Sequence, residues 1–457
     1  MLKRLKIENF KCWRDTGEVV LAPLTLLFGA NSSGKSSIGQ FLMMLKQTAE
    51  RSDRKAAFYL GFNNKDSYVQ LGSYRDIAYH HDLSNNIRFS YSWDLEEMLR
   101  TFDSHAGREY NWNFVAFDAD VAFRENGSVP YVCKFEYKLD GGGTPFSVRL
   151  IRQSTGDYKL DADGYQFIRN TGRVWNSSST VGFYGFPDEL NTYYQNSQFV
   201  QMLNFQQERF FRNIYYLGPI RTRPERVYSW SGNEPDGVGD SGEQTIPAIL
   251  AAKDRLINLK KKQRTKRFRE VIANSLKKLG LIDSFMVEPL SKDNNREYEV
   301  KVKTRNSPDW VNLPEVGFGI SQVLPVLVAC FYAPPGSILL IDEPEIHLHP
   351  MAQSQLADVF IDVLNAREDG RPRNVQLIVE THSEHLLRRL QRRIAEQCIT
   401  NEQAVAYFVD MDSSPLRLRK LDVDIFGNIR NWPKGFFGDE IGDVIAQTEA
   451  ALKREQK

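Results

Sequence analysis

The sequence predicts an α/β protein built on a central mixed sheet, and three stretches carry that expectation. Leu24-Thr-Leu-Leu-Phe28 is an apolar, extended run followed by a glycine-bearing loop and by Ser37-Ile-Gly-Gln-Phe-Leu-Met-Met-Leu-Lys46, whose apolar spacing is helical. Ser337-Ile-Leu-Leu-Ile-Asp342-Glu343 is a second apolar run, ending in two carboxylates. Gln376-Leu-Ile-Val-Glu-Thr-His382-Ser-Glu-His385 is a third, ending in polar residues. Apolar runs without alternation suit strands covered by other elements on both faces.

Between the first strand and its helix, Gly29-Ala-Asn-Ser-Ser-Gly-Lys35-Ser36 fits the phosphate-cradling pattern G-x-x-x-x-G-K-[ST] without a mismatch. Gly29 and Gly34 permit backbone angles that let successive N–H groups converge on phosphate oxygens at a helix N-terminus. Lys35 brings positive charge toward the β- and γ-phosphates, and the Ser36 hydroxyl is placed to ligate Mg²⁺. The candidate ATP-contacting residues of this loop are Gly29, Asn31, Ser32, Gly34, Lys35, Ser36 and Ser37. The bland alternative, a chance glycine-rich turn, explains neither the flanks nor a partner site elsewhere in the chain.

That partner is the carboxylate-ended run. Asp342 at the end of a buried strand can reach Mg²⁺, and Glu343, projecting differently, can act as general base on water. Val316-Gly-Phe-Gly-Ile-Ser321-Gln322 precedes it, with Gly319 and Ser321 at a helix start that can bind an anion. His382 can stabilise the γ-phosphate. Four of the seven histidines, His347, His349, His382 and His385, lie in these stretches, yet the phosphate site explains them better than a metal cluster, since no cysteine joins them.

Composition bounds the alternatives. The 457 residues allow an elaborated single domain; 41% hydrophobic and 26% charged residues are ordinary for a globular chain, and a net charge of +1 gives no general attraction to polyanions. Cys12, Cys133, Cys330 and Cys398 are far apart, which argues against a zinc ribbon or disulfide framework and suits a reducing cytoplasm. The start, Met1-Leu-Lys-Arg-Leu-Lys, lacks the apolar core of a signal peptide, and the longest apolar run, Val323 to Ala333, is too short to span a bilayer. No membrane contact is expected.

Along the chain, Leu5–Phe10 and Glu18–Ala22 read as strands leading into the loop. Gln70 can orient water or metal, although an ordinary loop glutamine is the better reading. Residues 84–170 read as an antiparallel β-subdomain, with turns at Asn126-Gly127, Asp140-Gly141 and Asp163-Gly164 and aromatics that pack a core rather than stack bases. Asn170 to Thr180 reads as a loop, and residues 185–285 read as a helical insertion. Tyr215-Tyr-Leu-Gly-Pro-Ile-Arg-Thr-Arg-Pro-Glu-Arg226 suits a phosphate or partner contact about as well as surface ion pairs. A helix is expected to carry the basic cluster Lys260-Lys-Lys-Gln-Arg-Thr-Lys-Arg-Phe-Arg269, either a nucleic-acid contact or a solvated face.

Together G-A-N-S-S-G-K-S, G-F-G-I-S-Q, I-L-L-I-D-E-P-E-I-H-L-H-P and E-T-H-S-E-H, with the opening L-K-I-E-N-F-K, resemble the ATP-binding-cassette (ABC-type) ATPases of the SMC, RecF and OLD group. The ending Gly427 to Glu440 resembles a C-terminal segment of bacterial OLD-like ATPases. The resemblance implies one ABC-type ATPase domain over 1–457, with a helical lobe bearing the signature and residues 400–457 completing the core. It implies that Ser321 reaches ATP bound by another subunit, so that a homodimer or higher homo-oligomer encloses ATP and Mg²⁺. His382 would be the switch histidine and Glu343, His382 and Lys35 the catalytic set. His349 stands where many cassette ATPases carry Asp, and the signature departs from L-S-G-G-Q. No long heptad region is present, which rules against an SMC-type arm.

OLD nucleases add a Toprim domain, but only residues 383–457 follow His382, and Val409-Asp-Met-Asp412 and Asp422-Val-Asp424 are isolated acidic pairs. No intrinsic nuclease is expected. The resemblance to ATPase subunits of anti-phage systems of the Septu and PARIS types implies a sensor or scaffold that restrains a separate effector, a toxin or nuclease. A RecF-like DNA-repair ATPase and a nucleotide-gated assembly with little turnover stay open.

Overall fold

Six short strands, three of them buried along their whole length, line up side by side to form the sheet on which the molecule is built. Their order is Ile214–Leu217, Ile338–Asp342, Gln376–Glu380, Leu24–Phe28, Ala404–Asp410 and Arg417–Lys420. The first five run parallel and the last antiparallel, so the sheet is mixed, as the sequence predicts. This computed structural model describes residues 1–457 except 62–66, 104–106, 125–128, 142–145, 173–176, 178, 260–263, 292–293, 305–308, 412, 434–435, 438–439 and 456–457.

The alternation of side chains along each strand divides the sheet between two cores. Leu27, Ile338, Leu340 and Ile378 face one core, shared with the helix Lys35–Ala49 and a large antiparallel sheet. Leu26, Phe28, Leu339, Ile341 and Leu377 face the other, shared with the helices Phe268–Lys278, Phe318–Tyr332, Pro350–Asn365 and Glu384–Ala395. Burial on both faces is why these runs show no polar alternation.

The antiparallel sheet has eight strands, in the order Trp13–Asp15, Leu2–Phe10, Ile87–Asp103, Arg108–Ala122, Tyr131–Asp140, Phe146–Arg152 and Tyr158–Asp163, with Val19–Val20 on the flank of Leu2–Phe10. The N-terminal strand thus belongs to the same sheet as the meander of residues 87–163. Phe117, Phe135 and Tyr137 are almost wholly buried in it, so these aromatics form core and not a stacking platform. Gln376 ties the two sheets: its side chain accepts from Leu2 N at 2.9 Å and donates to Leu2 O at 2.8 Å and Ala22 O at 3.0 Å.

Two expectations need correction. Residues 185–285 are not purely helical. They contain the helices Leu190–Tyr193, Gln198–Arg212, Thr245–Ala251 and Phe268–Lys278, but also the edge strand Ile214–Leu217 and three short strands, Tyr228–Ser229, Leu256–Asn258 and Lys266–Arg267. The basic cluster is likewise not one helix. Residues 260–263 lie outside the described residues, Lys266–Arg267 is a strand, and the helix opens only at Phe268. There Phe268, Val271, Ile272 and Leu276 are buried, so their apolar spacing sets the helix while the preceding cations sit in its entry. Asn126-Gly127, part of the Asn170–Thr180 loop, Asp412 and part of Gly427–Glu440 also lie outside the described residues.

In the C-terminal region, Phe436 and Phe437 pack edge-on against Phe28, with ring centroids 5.5 and 5.9 Å away, and so cover the end of the strand that leads into the phosphate loop. Among the described residues, no helix is long and apolar enough to cross a membrane.

Candidate nucleotide site

The carboxyl ends of three adjacent parallel strands bring the expected residues together. Open parallel sheets gather functional groups at this edge, because each strand there hands over to a loop and helix. Leu24–Phe28 leads into the phosphate loop, Ile338–Asp342 ends in the first acid, and Gln376–Glu380 ends beside Thr381 and His382. The strand register sets Asp342 opposite Glu380 and Glu380 opposite Leu27.

Gly34 shows why the loop needs glycine. Its φ is +96°, and an added Cβ would lie 2.2 Å from Cys12 Sγ. Trp13 Nε1 donates to Gly34 O at 3.1 Å, which fixes the loop against the N-terminal strands. Ser32 takes φ 59°. Ser33 Oγ is buried without a partner among the described residues, while Ser37, one turn into the helix, is packed beside Cys12. Asn31 is exposed on the loop.

Lys35 is buried. Its Nζ donates to Gly29 O at 3.0 Å and Ala30 O at 2.8 Å and lies 3.7 Å from Glu380 Oε1. Burial lowers its pKa, opposed mainly by the charge of Glu380. Ser36 Oγ donates to the same carboxylate at 2.9 Å. Burial pushes Glu380 up to about 7, helped by the nearby Asp342 and opposed by Lys35.

Asp342 accepts from the Tyr216 hydroxyl at 2.8 Å. Burial pushes Asp342 up to about 6, against the Tyr216 hydrogen bond and the charge of Arg221. Arg221 is buried and donates to the carbonyls of Asp342 at 2.7 Å and Glu343 at 3.3 Å, so it splints the backbone that aims both acids. Glu343 has φ 45°, and its N–H donates to Glu380 O at 2.8 Å. Its carboxylate lies beside His382, with Nε2 3.6 Å from Glu343 Oε1. Burial and Lys35 hold His382 below its usual pKa, which keeps it neutral near pH 7. Buried Glu345 fixes the segment around His382 by accepting from Thr381 Oγ1 and His382 N, both at 2.6 Å.

The donor set of Ser36 Oγ, Asp342 and Glu380 is all oxygen, which fits a hard divalent cation, and Lys35 with the loop N–H groups fits the phosphates that accompany it. Among the described residues, Glu343, Glu380 and His382 also place potential ligand atoms within 4.8 Å of one another. His347, His349 and His385 are exposed and are not part of that group; His349 instead caps the helix Pro350–Asn365 by accepting from Met351 N. Gln70 is exposed on its loop.

Gly319 and Ser321 sit in the first turns of the helix Phe318–Tyr332, apart from the phosphate loop. A Cβ on Gly319 would meet His347 O at 3.1 Å, so glycine lets this helix start lie close on the turn after Glu343. Ser321 is buried and donates to Phe318 O at 2.9 Å, whereas Phe318 itself is 63% exposed.

Sequence reasoning missed Glu380 and Tyr216, and it left Arg221 undecided between a phosphate contact and a surface ion pair. One signal for Glu380 was available: two apolar runs of similar length, each ending in a carboxylate, align their acids if their strands pair in parallel.

Comparison with known proteins gives three partial matches. Residues 1–120 match a family profile described as "AAA ATPase domain", and residues 204–388 match one described as "AAA domain, putative AbiEii toxin, Type IV TA system". Residues 399–447 match a protein family of unknown function, DUF3696. No curated protein matches the chain. Among solved structures, the SMC head bound to the C-winged helix domain of ScpA has 13% identity and a TM-score of 0.42, covering 92% of this chain and 98% of that one. The SMC head domain from Thermotoga maritima has 10% identity and a TM-score of 0.39, covering 92% and 99%. The Smc head with an extended coiled coil, bound to the C-terminal domain of ScpA derived from Pyrococcus furiosus, has 11% identity and a TM-score of 0.43, covering 100% and 99%.

Proposed function

We propose that this protein is an Mg²⁺-dependent ATPase of the ABC type, and that its nucleotide cycle closes two copies on one another and thereby restrains or releases a separate effector in bacterial anti-phage defence. One observation carries the ATPase part: Lys35 and Ser36 meet Glu380, which the strand register sets opposite Asp342, although residues 37–341 separate the phosphate loop from that acid in sequence. The two ATPase-domain matches, each covering one half of this site, support it.

In this reading the N–H groups of Gly29 to Ser37 hold the phosphates, and Lys35 leaves the loop carbonyls to pair with them. Ser36 and Asp342 hold the cation, which when bound neutralises charge on the β- and γ-phosphate oxygens. Glu343 takes the proton from the attacking water, and neutral His382 beside it orients the γ-phosphate. Gly319 and Ser321 act on ATP held by the second copy, for which Ser321 has to leave Phe318 O. Ile220 at 84%, Phe318 at 63% and Met351 at 55% exposure lie next or close in sequence to Arg221, Gly319 and His349, an apolar fringe suited to cover by that copy.

The effector part is supported by the toxin–antitoxin wording of the second family match. The test is phosphate release and ATP binding by wild type and Glu343→Gln. Turnover should fall on the order of 100-fold or more with binding retained, as expected for loss of a general base. Equal turnover in both proteins would remove Glu343 from the chemistry.

A further inference from the structure

We propose that Glu380 is an internal gate on the nucleotide pocket: its carboxylate competes with the triphosphate for Lys35 and Ser36, and only a divalent cation, which it then helps Asp342 to hold, relieves the competition. The proposal rests on the ATPase reading above and adds to it a residue and a rule of binding order, cation with nucleotide and never nucleotide alone.

The geometry points to this residue and not to its neighbours. Glu380 Oε1 accepts from Ser36 Oγ at 2.9 Å and stands 3.7 Å from Lys35 Nζ, so a single oxygen engages the two side chains that bind cation and phosphate in a phosphate loop. Asp342 is held by Tyr216 and Glu343 lies toward His382; neither is recorded in contact with Ser36. The backbone of Glu380 is pinned on both sides. Its carbonyl accepts from Glu343 N at 2.8 Å, Thr381 N donates to Leu27 O at 3.1 Å, and the strand pairs with both neighbours. The side chain can therefore move only by changing rotamer, which carries it from the loop toward Asp342.

Charge sets the order of events. Asp342, Glu343 and Glu380 gather at this edge against two cations, Lys35 and Arg221, so a bare triphosphate enters against an excess of carboxylates. A divalent cation inverts that balance, because it attracts the carboxylates and the phosphates together. Glu380 then has a new partner at the moment it must give up Lys35 and Ser36.

The test compares ATP binding by wild type, Glu380→Gln and Glu380→Ala, in EDTA and across a Mg²⁺ titration, with melting curves to show that each protein is folded. The gate predicts that both variants bind ATP in EDTA about tenfold tighter than wild type or more, and that their dependence on Mg²⁺ is shallower. Electron paramagnetic resonance of Mn²⁺ added with ATP should show weaker cation binding in both variants. Unchanged ATP affinity in EDTA for folded Glu380→Gln would overturn the gate. If wild type itself binds no ATP with Mg²⁺, and Lys35→Ala changes nothing, the ATPase reading fails and takes the gate with it.

Discussion

Arg221 shows how one residue can hold the backbone of the candidate site from behind. A guanidinium is costly to bury, and here burial lowers its pKa to about 10 against the attraction of Asp342 and the neighbouring acids. What it gains is hydrogen bonding to two consecutive carbonyls, those of Asp342 and Glu343, where the chain leaves its strand for the left-handed turn at Glu343. Replacing Arg221 by Met removes both hydrogen bonds and leaves Glu343 O with only Ile346 N at 3.2 Å, and should cost about 1–3 kcal/mol of stability by the usual penalty for lost donors to buried groups. Turnover should fall further than ATP affinity, because the phosphate loop is untouched; chemical denaturation and parallel ATP titrations check both. Its place was not legible in the sequence. Within Gly218-Pro-Ile-Arg-Thr-Arg-Pro-Glu-Arg226 three arginines look alike, and only the turn after the edge strand Ile214–Leu217 buries the first and leaves the other two exposed. Lys35, Ser36, Asp342 and Glu343 were legible because their chemistry demands fixed residues at fixed spacing. Glu380 was not, since its meaning depends on which strand lies beside it.

The helix Phe318–Tyr332 poses a problem of a different order. It is buried almost from end to end, so the carbonyls of its last turn have no water to turn to. Two arginines supply the donors: Arg373 Nη1 donates to Cys330 O at 3.1 Å and Nη2 to Ala333 O, while Arg255 Nη1 donates to Tyr332 O at 2.7 Å. Glu368 holds both, with a two-pronged contact to Arg255 at 2.8 Å and a 3.3 Å contact to Arg373. Burial raises the Glu368 pKa, but the arginines more than offset that and hold it below its usual value. Glu368→Gln strands the buried Arg373 beside the partly exposed Arg255 and should destabilise the fold by about 3 kcal/mol, the low end for breaking a buried ion pair. A depressed carboxylate contributes stability above its unfolded pKa and loses it as pH falls through the folded one. The gap between wild type and variant should therefore be widest near pH 7 and shrink below about 4.5, as denaturation curves across pH will show. The helices and buried strands were readable from apolar spacing, whereas this clamp draws on residues 255, 332, 368 and 373, which no local pattern connects. The basic stretch misread as one helix illustrates the same limit: charge density alone does not say where backbone pairing stops.

At the scale of the whole molecule, the α/β class and mixed sheet were legible because buried strands announce themselves by composition. The joining of the N-terminal strand to the meander was not, because pairing between Leu2–Phe10 and Ile87–Asp103 is a property of tertiary contact. The apolar fringe of Ile220, Phe318 and Met351 predicts that ATP changes the mass of the protein in solution. Glu343→Gln should double in mass with ATP and Mg²⁺ and return to the starting value on chelation, and Phe318→Asp added to it should block the change; light scattering on the purified chains decides. A mass that ignores ATP would place the nucleotide inside a preformed assembly. The order of strands carries one more consequence. The phosphate-loop strand Leu24–Phe28 has its sheet neighbours at Gln376–Glu380 and Ala404–Asp410, so on the ribosome it waits for residues made hundreds of positions later before it can pair. A half-made chain therefore has its phosphate loop but no second side to the pocket. The pocket is therefore completed late in synthesis, so a ligand that needs both sides of it would distinguish finished molecules from interrupted ones.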